Sequence, residues 1–411
     1  ASASDDITVS ERDRGASFEQ GVITQTAGDV VEMTVELEDT SDAYVQVGSE
    51  DAGFVDILYV EDDDDDDEVT FQINTRTIGS DVGKDAVYNT EDDIIQSEVH
   101  GGIDADLEPR YDANDDGNDD TDFAGYLEAI GQIDSAGSYA RGDQLARPLQ
   151  PTDYDIAVNG NDLFIVNDDD ESELDEEIGL TTLDLVAPSV DNIQTWTGPA
   201  NDADENEELT EIQEAVTQRS EIAIDDQLVV QVQASGIYGH MVALQGNDFE
   251  ALDDGFSAST LGQLTNYENA YPNWEGEGVN LEIESTDATG NQDPVSLNLD
   301  DAASDEVSIY VDNENGQMFI IADTSQSGAF DGTVEDDTEF TADLEYEAGE
   351  DNRFAFDNNG PFGGADGDRQ TPAFPYFQSG EDNTQSASAT FTLADRDAEF
   401  DNVNNDTVEI E

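Results

Sequence analysis

The chain has 411 residues, of which 103 are Asp or Glu and only 11 are Lys or Arg, so its formal net charge is −92. This balance excludes nucleic acid as a partner, because too few basic residues are present to contact phosphates, and the absence of cysteine excludes disulfides and thiolate sites. The hydrophobic fraction of 36% still suffices for a core. In molar salt the Debye length falls to about 3 Å, which removes most of the repulsion between carboxylates. The composition therefore indicates a protein of a high-salt environment.

Residues 1–19 contain a short strand pattern, DDITVS (Asp5–Ser10), followed by ERDRG. A strand that precedes a β-sandwich is able to extend its own sheet or to pair with the exposed edge of a neighbouring subunit. We therefore interpret residues 1–19 as an N-terminal strand segment and a candidate for donation to a neighbour.

Alternation of apolar and polar residues dominates residues 20–204 and predicts a first immunoglobulin-like β-sandwich domain. One helical pattern occurs in this half, at Thr121–Ile133, where apolar residues recur on one face. The predicted strands lie at Asp29–Asp39, Ala43–Glu50, Phe54–Val60, Val69–Thr75, Tyr154–Val158, Asp162–Val166 and Leu180–Pro188.

Two acidic runs follow predicted strands, at Asp62–Asp67, which Glu61 and Glu68 flank, and at Val166–Glu177. Calcium needs about six converging oxygen ligands, whereas alternate side chains of an extended run point apart. We interpret both runs as solvated loops, with calcium binding as the alternative.

The sharpest local motif is DANDDGNDD (Asp112–Asp120), which resembles a calcium-binding loop. Gly117 falls at the sixth position, where such loops turn sharply, but Phe123 stands where a bidentate Glu is usual. The motif predicts Ca²⁺ as a cofactor, with a plain acidic loop as the alternative. The predicted ligands, at positions 1, 3, 5 and 9, are Asp112, Asn114, Asp116 and Asp120.

Residues 205–219 are predicted to form a short helix that joins two domains. The sequence NEELTEIQEAVTQR (Asn206–Arg219) repeats apolar residues at helical spacing, and acids crowd its first turn, where the helix dipole favours them. The preceding WTGPANDADE is rich in residues typical of linkers.

Residues 220–411 are predicted to form a second β-sandwich domain. The order of an acidic turn and an alternating strand in 20–39 recurs in 214–236, which favours two related sandwiches. A hairpin is expected at Asn315-Gly316, and a helix at Ala258–Tyr267. The predicted strands lie at Gln227–Gly236, Tyr238–Leu244 (which includes His240), Val279–Thr286, Val307–Asp323 as the hairpin, Glu339–Gly349, Ser388–Asp395 and Thr407–Glu411.

Few residues indicate chemistry. Neither His100 nor His240 lies in a zinc-protease or serine-hydrolase signature, so no enzyme activity is predicted. The Gly- and Pro-rich stretch Asp357–Phe377 carries several aromatic residues and is interpreted as a crossing loop or a contact surface for a neighbouring subunit. Asn405 begins the one N-glycosylation sequon. No stretch approaches the roughly 18 apolar residues of a membrane span.

The sequence AGDVVEMTVELEDTSDAYVQVGSEDAGFVDILYVEDDDDDDEVTFQINT resembles the repeating module of haloarchaeal secreted surface glycoproteins with a BGTF-type domain. The resemblance covers most of residues 20–245 and, more loosely, the second half. It implies an extracellular or cell-surface location and an S-layer-like role.

We therefore expect a structural subunit of a halophile's surface, self-associating as a filament or array. The alternatives are a monomeric adhesin that binds glycans through aromatics such as Trp196, Trp274 and Tyr376, and a secreted polysaccharide hydrolase. Size-exclusion chromatography in molar salt separates the first hypothesis from the other two.

Overall fold

Strands form most of the regular structure in both halves of the chain. The computed structural model describes residues 14–119, 121–145, 147–199, 209–265, 278–286, 293–346 and 384–396. Within these ranges the strands form five sheets, which confirms the predicted all-β, sandwich-like fold. The predicted strands at Asp5–Ser10 and Thr407–Glu411 lie outside the described residues.

The strands of the first half are β1 Gly15–Phe18, β2 Val22–Thr26, β3 Val30–Glu38, β4 Asp42–Ser49, β5 Phe54–Glu61, β6 Glu68–Asn74, β7 Tyr88–Asn89, β8 Ile94–Ser97, β9 Arg110–Asp112, β10 Asp153–Asn159, β11 Leu163–Val166, β12 Ser172–Leu174 and β13 Glu177–Val186. Those of the second half are β14 Val190–Gly198, β15 Thr217–Gln218, β16 Glu221–Ala223, β17 Gln227–Ala234, β18 Phe256–Ser257, β19 Val279–Ser285, β20 Val307–Asp312, β21 Gln317–Asp323, β22 Thr338–Tyr346 and β23 Gln385–Ala394. The α-helices are α1 Phe123–Ala129, α2 Leu209–Ala215, α3 Tyr238–Leu244, α4 Ala251–Asp254 and α5 Ala258–Thr265.

The first half is built from two main sheets with strand orders β1-β3-β6-β7 and β2-β13-β10-β4-β5-β8, and a small sheet β12-β11-β9. Strand β3 shows why the alternating pattern works. Val31, Met33 and Val35 are buried, while Glu32 and Glu36, on the opposite face, are exposed. Because successive side chains of a strand point to opposite faces, one face enters the core and the other carries the charge.

The second half contains the sheets β15-β14-β17-β21-β20-β18 and β16-β23-β22-β19. Strand β14 precedes the predicted joint at 205–219 but pairs antiparallel with β17. The chain therefore passes from the sheets of the first half to those of the second half between Val186 and Val190.

Three of the helices lie where the sequence predicted them, and helix α3 lies where a strand was predicted. Helices α1 and α5 lie where helical patterns were found, and α2 lies in the predicted joint, whose residues 205–208 are outside the described ranges. Helix α3, however, occupies Tyr238–Leu244, which was predicted as a strand beside or around His240. Tyr238, Met241 and Val242 are all fully buried at helical spacing. A short apolar run buried on all sides lacks the alternation that identifies a strand.

The two halves repeat the same turn before their long strands. In the first half, the Thr75 hydroxyl donates to the Asp29 carbonyl over 2.7 Å. In the second half, the Thr324 hydroxyl donates to the Asp226 carbonyl over 2.7 Å. The short strand before each turn, β2 or β16, pairs parallel with β13 or β23. The repeated order of the sequence thus corresponds to a repeated local structure.

Buried polar contacts join the two halves. The fully buried Asp29 carboxylate accepts the N–H groups of Gly236, over 2.7 Å, and Tyr238, over 2.9 Å. Asn74 Nδ2 donates to the Gly239 carbonyl over 2.9 Å. Burial raises the pKa of Asp29 to about 7, although backbone N–H donors counteract it. The first half therefore holds the loop after β17 through specific hydrogen bonds.

A close backbone approach completes this junction. A Cβ on Gly28 would lie 2.4 Å from the Gly236 carbonyl oxygen, so only glycine fits at Gly28. Beside it, the Arg76 Nε donates to the His240 Nε2 over 2.7 Å, and both side chains are fully buried. Because buried polar groups need fixed partners, these contacts define one relative position of the two halves.

Candidate functional site

The acidic run between β5 and β6 is folded into a closed turn rather than extended. Asp62 Oδ1 accepts the Asp65 N–H over 2.8 Å, and Asp62 Oδ2 accepts the Asp67 N–H over 2.9 Å. Asp65 and Asp67 have φ angles of 65° and 68°, in the left-handed region that lets a chain reverse tightly. The turn therefore brings side chains of the run together, which an extended run could not do.

A carboxylate from a second loop joins this turn. Asp93 lies just before β8, and its Oδ1 accepts the Asp63 N–H over 3.3 Å. Its Oδ2 accepts the Thr70 N–H over 3.3 Å, which ties the loop to β6. Oxygen atoms of Asp62, Asp64 and Asp93 lie within 4.8 Å of one another, and no other group of three acidic or His side chains in the described ranges converges in this way.

The electrostatics of this group favour a cation. Partial desolvation, together with the charges of Asp66, Asp93 and Asp62, raises the pKa of Asp64 above its ordinary value. Partial desolvation also raises the pKa of Asp93, against the effect of its two N–H donors. A bound cation would relieve this repulsion. The group borders a cavity of about 270 Å³ whose lining includes Glu68.

A site whose protein ligands are all carboxylate oxygens suits a hard cation. Ca²⁺ takes 6–8 oxygens at about 2.3–2.6 Å and tolerates irregular geometry, with water filling the remaining positions. Asp62, Asp64 and Asp93 therefore fit calcium chemistry, and they supply no nitrogen or sulfur that would favour zinc.

The predicted calcium loop has the same closing geometry. Asp112 Oδ2 accepts the Gly117 N–H over 2.8 Å, and Asp112 Oδ1 accepts the Asn114 N–H over 3.2 Å. Gly117 has a φ of 83°, as the predicted sharp turn requires. Desolvation alone would raise the pKa of Asp112, but the backbone N–H donors outweigh it and hold that pKa below its ordinary value. Asp116 accepts the Asn118 N–H over 3.0 Å.

Calcium at this second loop stays a prediction. Asp120 lies outside the described residues, and Asp122 caps helix α1 by accepting the Gly125 N–H over 2.9 Å. Among the described residues, Asp112 and Asp116 belong to no group of three converging acidic side chains. Sequence reasoning missed Asp93 because its only signal was an acidic triplet, Glu91–Asp93, before a strand.

Both histidines are bound into the fold. His100 Nε2 accepts the Gly79 N–H over 3.1 Å, and its Nδ1 lies 3.0 Å from the Val82 carbonyl. Burial lowers the pKa of His100 to about 4, so the ring is neutral near pH 7. His240 accepts from Arg76 at the junction. His100 thus holds the backbone near Gly79 and Val82, and His240 helps to hold the two halves together.

The aromatic residues proposed for glycan binding have separate outcomes. Trp196 is partly buried against an apolar cluster that includes Val229, and its Nε1 donates to Gln231 Oε1 over 3.0 Å. Trp274, Tyr376, the stretch Asp357–Phe377 and the sequon at Asn405 lie outside the described residues.

Comparison with known proteins agrees with the resemblance seen in the sequence. A family model described as a domain of unknown function, DUF7827, matches residues 9–128. Cell surface glycoprotein 1 of Haloarcula hispanica is 31% identical over 78% of this chain and 31% of its own length. Cell surface glycoprotein 2 of the same organism is 28% identical over 84% of this chain and 34% of its own length. The cell surface glycoprotein of Haloferax gibbonsii is 27% identical over 82% of this chain and 32% of its own length.

Two further findings complete the comparison. Among solved structures, a marsupial T cell receptor aligns over 80% of this chain and 91% of its own at 8% identity, but the TM-score of 0.14 supports no argument. None of the helices in the described ranges is long and apolar enough to cross a membrane. The chain spans about a third of the length of its curated relatives and is similar, over most of its own length, to the cell surface glycoproteins of haloarchaea.

Proposed function

We propose that the chain is a structural part of the cell surface of a halophilic archaeon. Similarity to three haloarchaeal cell surface glycoproteins agrees with the predicted extracellular or cell-surface location. The net charge of −92 fits the molar salt that such a surface contacts.

The observation that carries this proposal is the buried junction between the halves. Asp29 accepts two N–H groups from the second half, and a fully buried Arg76 donates to His240 across the same contact. Such contacts hold two sandwiches at a fixed angle, which a surface layer or filament needs in order to keep its spacing.

We also propose that the chain self-associates into a filament or array. Pairing of backbone groups between subunits suits this environment, because molar salt screens the ion pairs on which many interfaces depend. A head-to-tail contact of this kind does not close on itself and so produces extended assemblies. The strand segment in residues 1–19 is the proposed link, and its described part, β1, pairs with β3 of its own chain.

Calcium is proposed as a stabilising ion, and no catalytic role is proposed for the chain. The converging carboxylates of Asp62, Asp64 and Asp93 support a cation at the β5–β6 turn. Calcium there would tie this turn to the loop before β8 and stiffen the end of the first sandwich. Sodium or potassium at molar concentration would compete for the same oxygens.

Electron microscopy of the purified full chain in about 3 M salt, where screening is nearly complete, tests the structural role, with and without added calcium. We expect filaments or sheets. Dispersed single particles at high protein concentration would contradict self-association. Binding on a glycan array would then favour an adhesin, and release of sugars from a polysaccharide would favour a hydrolase.

A further inference from the structure

We infer that strand β2 and the groove beside it accept an extended strand, and that this strand is the Asp5–Ser10 segment of a second copy of the chain. The inference rests on the proposed self-association and names the acceptor surface. Four features carry it: the open backbone groups of β2, the absence of charged side chains on β2 itself, a groove of suitable position, and the place where the donor segment leaves its own sandwich.

Strand β2 presents unpaired backbone groups. Among the strands that the structure describes, it is the terminal strand of its sheet and pairs only with β13. The N–H of Thr182 donates to the Gly21 carbonyl, and the N–H of Ala27 donates to the Val186 carbonyl. The odd-numbered residues of β2 therefore face β13, and the N–H and C=O groups of Val22 and Thr24 point to the open side. An edge of this kind is a template for another strand.

This edge carries no charge. Residues Gln20–Gly28 contain no acidic or basic side chain, in a chain with 103 acidic residues. Val22 is 59% exposed, and Leu180 on the paired strand β13 is 55% exposed. Proteins commonly protect exposed edges with charged residues. A charge-free edge with an exposed valine, in so acidic a chain, is therefore suited to contact with another strand.

A groove runs along the open side of β2. Its cavity has a volume of about 690 Å³. Its lining includes Thr24 of β2, Val31 of β3, and Leu209 and Gln213 of helix α2. The hairpin residue Asn313 stands at the same groove and is held in place by a bond from its Nδ2 to the Val30 carbonyl, over 2.7 Å. The acceptor is thus formed by both halves, whose relative position the junction holds.

The donor segment leaves its own sandwich at the far end. Strand β1 pairs Gly15 with Glu38, at the end of β3 remote from Val30, and Arg14 lies 3.9 Å from the Asp42 carboxylate there. Strands β1 and β2 both run from that end toward the junction. To reach its own β2, the Asp5–Ser10 segment would have to reverse direction before β1, whereas a second copy is reached without a reversal.

The sequence of the segment suits the acceptor, and its charge adds a condition. Ile7 and Val9 alternate with Thr8 and Ser10, as in a strand with one apolar face. Asp5 and the acidic residues that line part of the groove would repel each other at low salt. In molar salt the Debye length is about 3 Å, which removes most of this repulsion. Assembly is therefore expected to require high salt.

The test compares the full chain with two substitutions at one position. Thr24→Pro removes the outward N–H that strand addition needs, at an edge position where proline is compatible with the sheet. Thr24→Val is the matched control, because it keeps that N–H and loses only the hydroxyl. Val22→Asp replaces an exposed apolar side chain of the same edge with a carboxylate, whose desolvation on strand pairing is a cost that salt does not screen. This variant tests the same edge in case the proline variant does not fold. Assembly is measured by sedimentation and electron microscopy in about 3 M salt.

A peptide titration supplies a second readout. A fluorescent peptide of residues 1–14 is added to the chain lacking residues 1–13, which retains β1. We expect the peptide to bind this chain and to lose binding when Thr24→Pro is present. We also expect Thr24→Pro and Val22→Asp to abolish assembly of the full chain and Thr24→Val to leave it unchanged.

The outcomes separate this inference from the proposed function. If a folded Thr24→Pro variant assembles as the natural chain does, β2 is not the acceptor, although the structural role stands. If the natural chain does not assemble at all, the proposed self-association fails, and the peptide titration decides whether β2 accepts the segment. Absence of peptide binding to the shortened chain would overturn the inference in either case.

Discussion

The buried carboxylate of Asp29 is the contact whose removal we expect to affect the molecule most. Asp29→Ala would leave the N–H groups of Gly236 and Tyr238, now bonded at 2.7 and 2.9 Å, without acceptors in a buried place. Each orphaned donor costs roughly 1–3 kcal/mol, so the free energy of unfolding should fall by about 4 kcal/mol. Urea unfolding in about 3 M salt, followed by tyrosine and tryptophan fluorescence, measures this change without altering the ionic screening.

The internal repeat provides a matched control for this prediction. Asp226 occupies the corresponding turn of the second half, but its carboxylate pairs with Arg396, whose side chain is 60% exposed. A solvent-exposed ion pair contributes at most about 1 kcal/mol, so Asp226→Ala should change the stability little. If Asp29→Ala costs less than about 1 kcal/mol, or no more than Asp226→Ala, then Asp29 does not hold the halves together as argued.

Three further predictions concern the buried acid Glu98, the carboxylates of the β5–β6 turn, and the aromatic packing of the second half. Burial, more than neighbouring charge, raises the pKa of Glu98 to about 7 from 4.5. The contribution of protonated Glu98 to the free energy of unfolding is therefore fully present below about pH 4.5 and is lost as pH rises through 7. Glu98→Gln should therefore raise the melting temperature above pH 7 but not near pH 4. A melting temperature raised only near pH 4 would contradict the predicted direction of the Glu98 pKa shift. Calcium should raise the melting temperature of the natural chain and of Asp116→Asn but not of Asp93→Asn, and an equal rise in all three would exclude the β5–β6 turn as its site. Phe340 is fully buried and stacks on Phe391 with centroids 5.3 Å apart, so Phe340→Ala should cost about 3–5 kcal/mol in urea unfolding, and a loss below about 1 kcal/mol would contradict the packing described.

Most strands could be predicted because their signal is local. In β3 the buried Val31, Met33 and Val35 alternate with polar residues, and this pattern depends only on the pleat of a strand. Helix α3 could not be predicted from a local pattern, because Tyr238–Leu244 is buried around its circumference and its sequence shows no apolar–polar periodicity. Its helical form is stabilised by packing between the halves, which no local pattern reports.

The candidate cation site shows the limit of motif reasoning. The Asp112 loop was predicted from spacing within nine residues, and its closing turn has the predicted geometry. The group of Asp62, Asp64 and Asp93 was not predicted, because Asp93 reaches the turn only after its loop bonds to β6 through Thr70. In a chain with 103 acidic residues, sequence cannot indicate which carboxylates converge.

The sequence by itself determined the salt environment, the all-β class and most strand positions, since composition and alternation are properties of neighbouring residues. Only the tertiary structure decided that Asp29 bonds to Gly236, 207 residues away, that three carboxylates meet at one turn, and that β2 lies at a sheet edge. These features depend on which distant strands pair and in what order. That choice is made by the packing of whole sheets, and no local window of the sequence contains it.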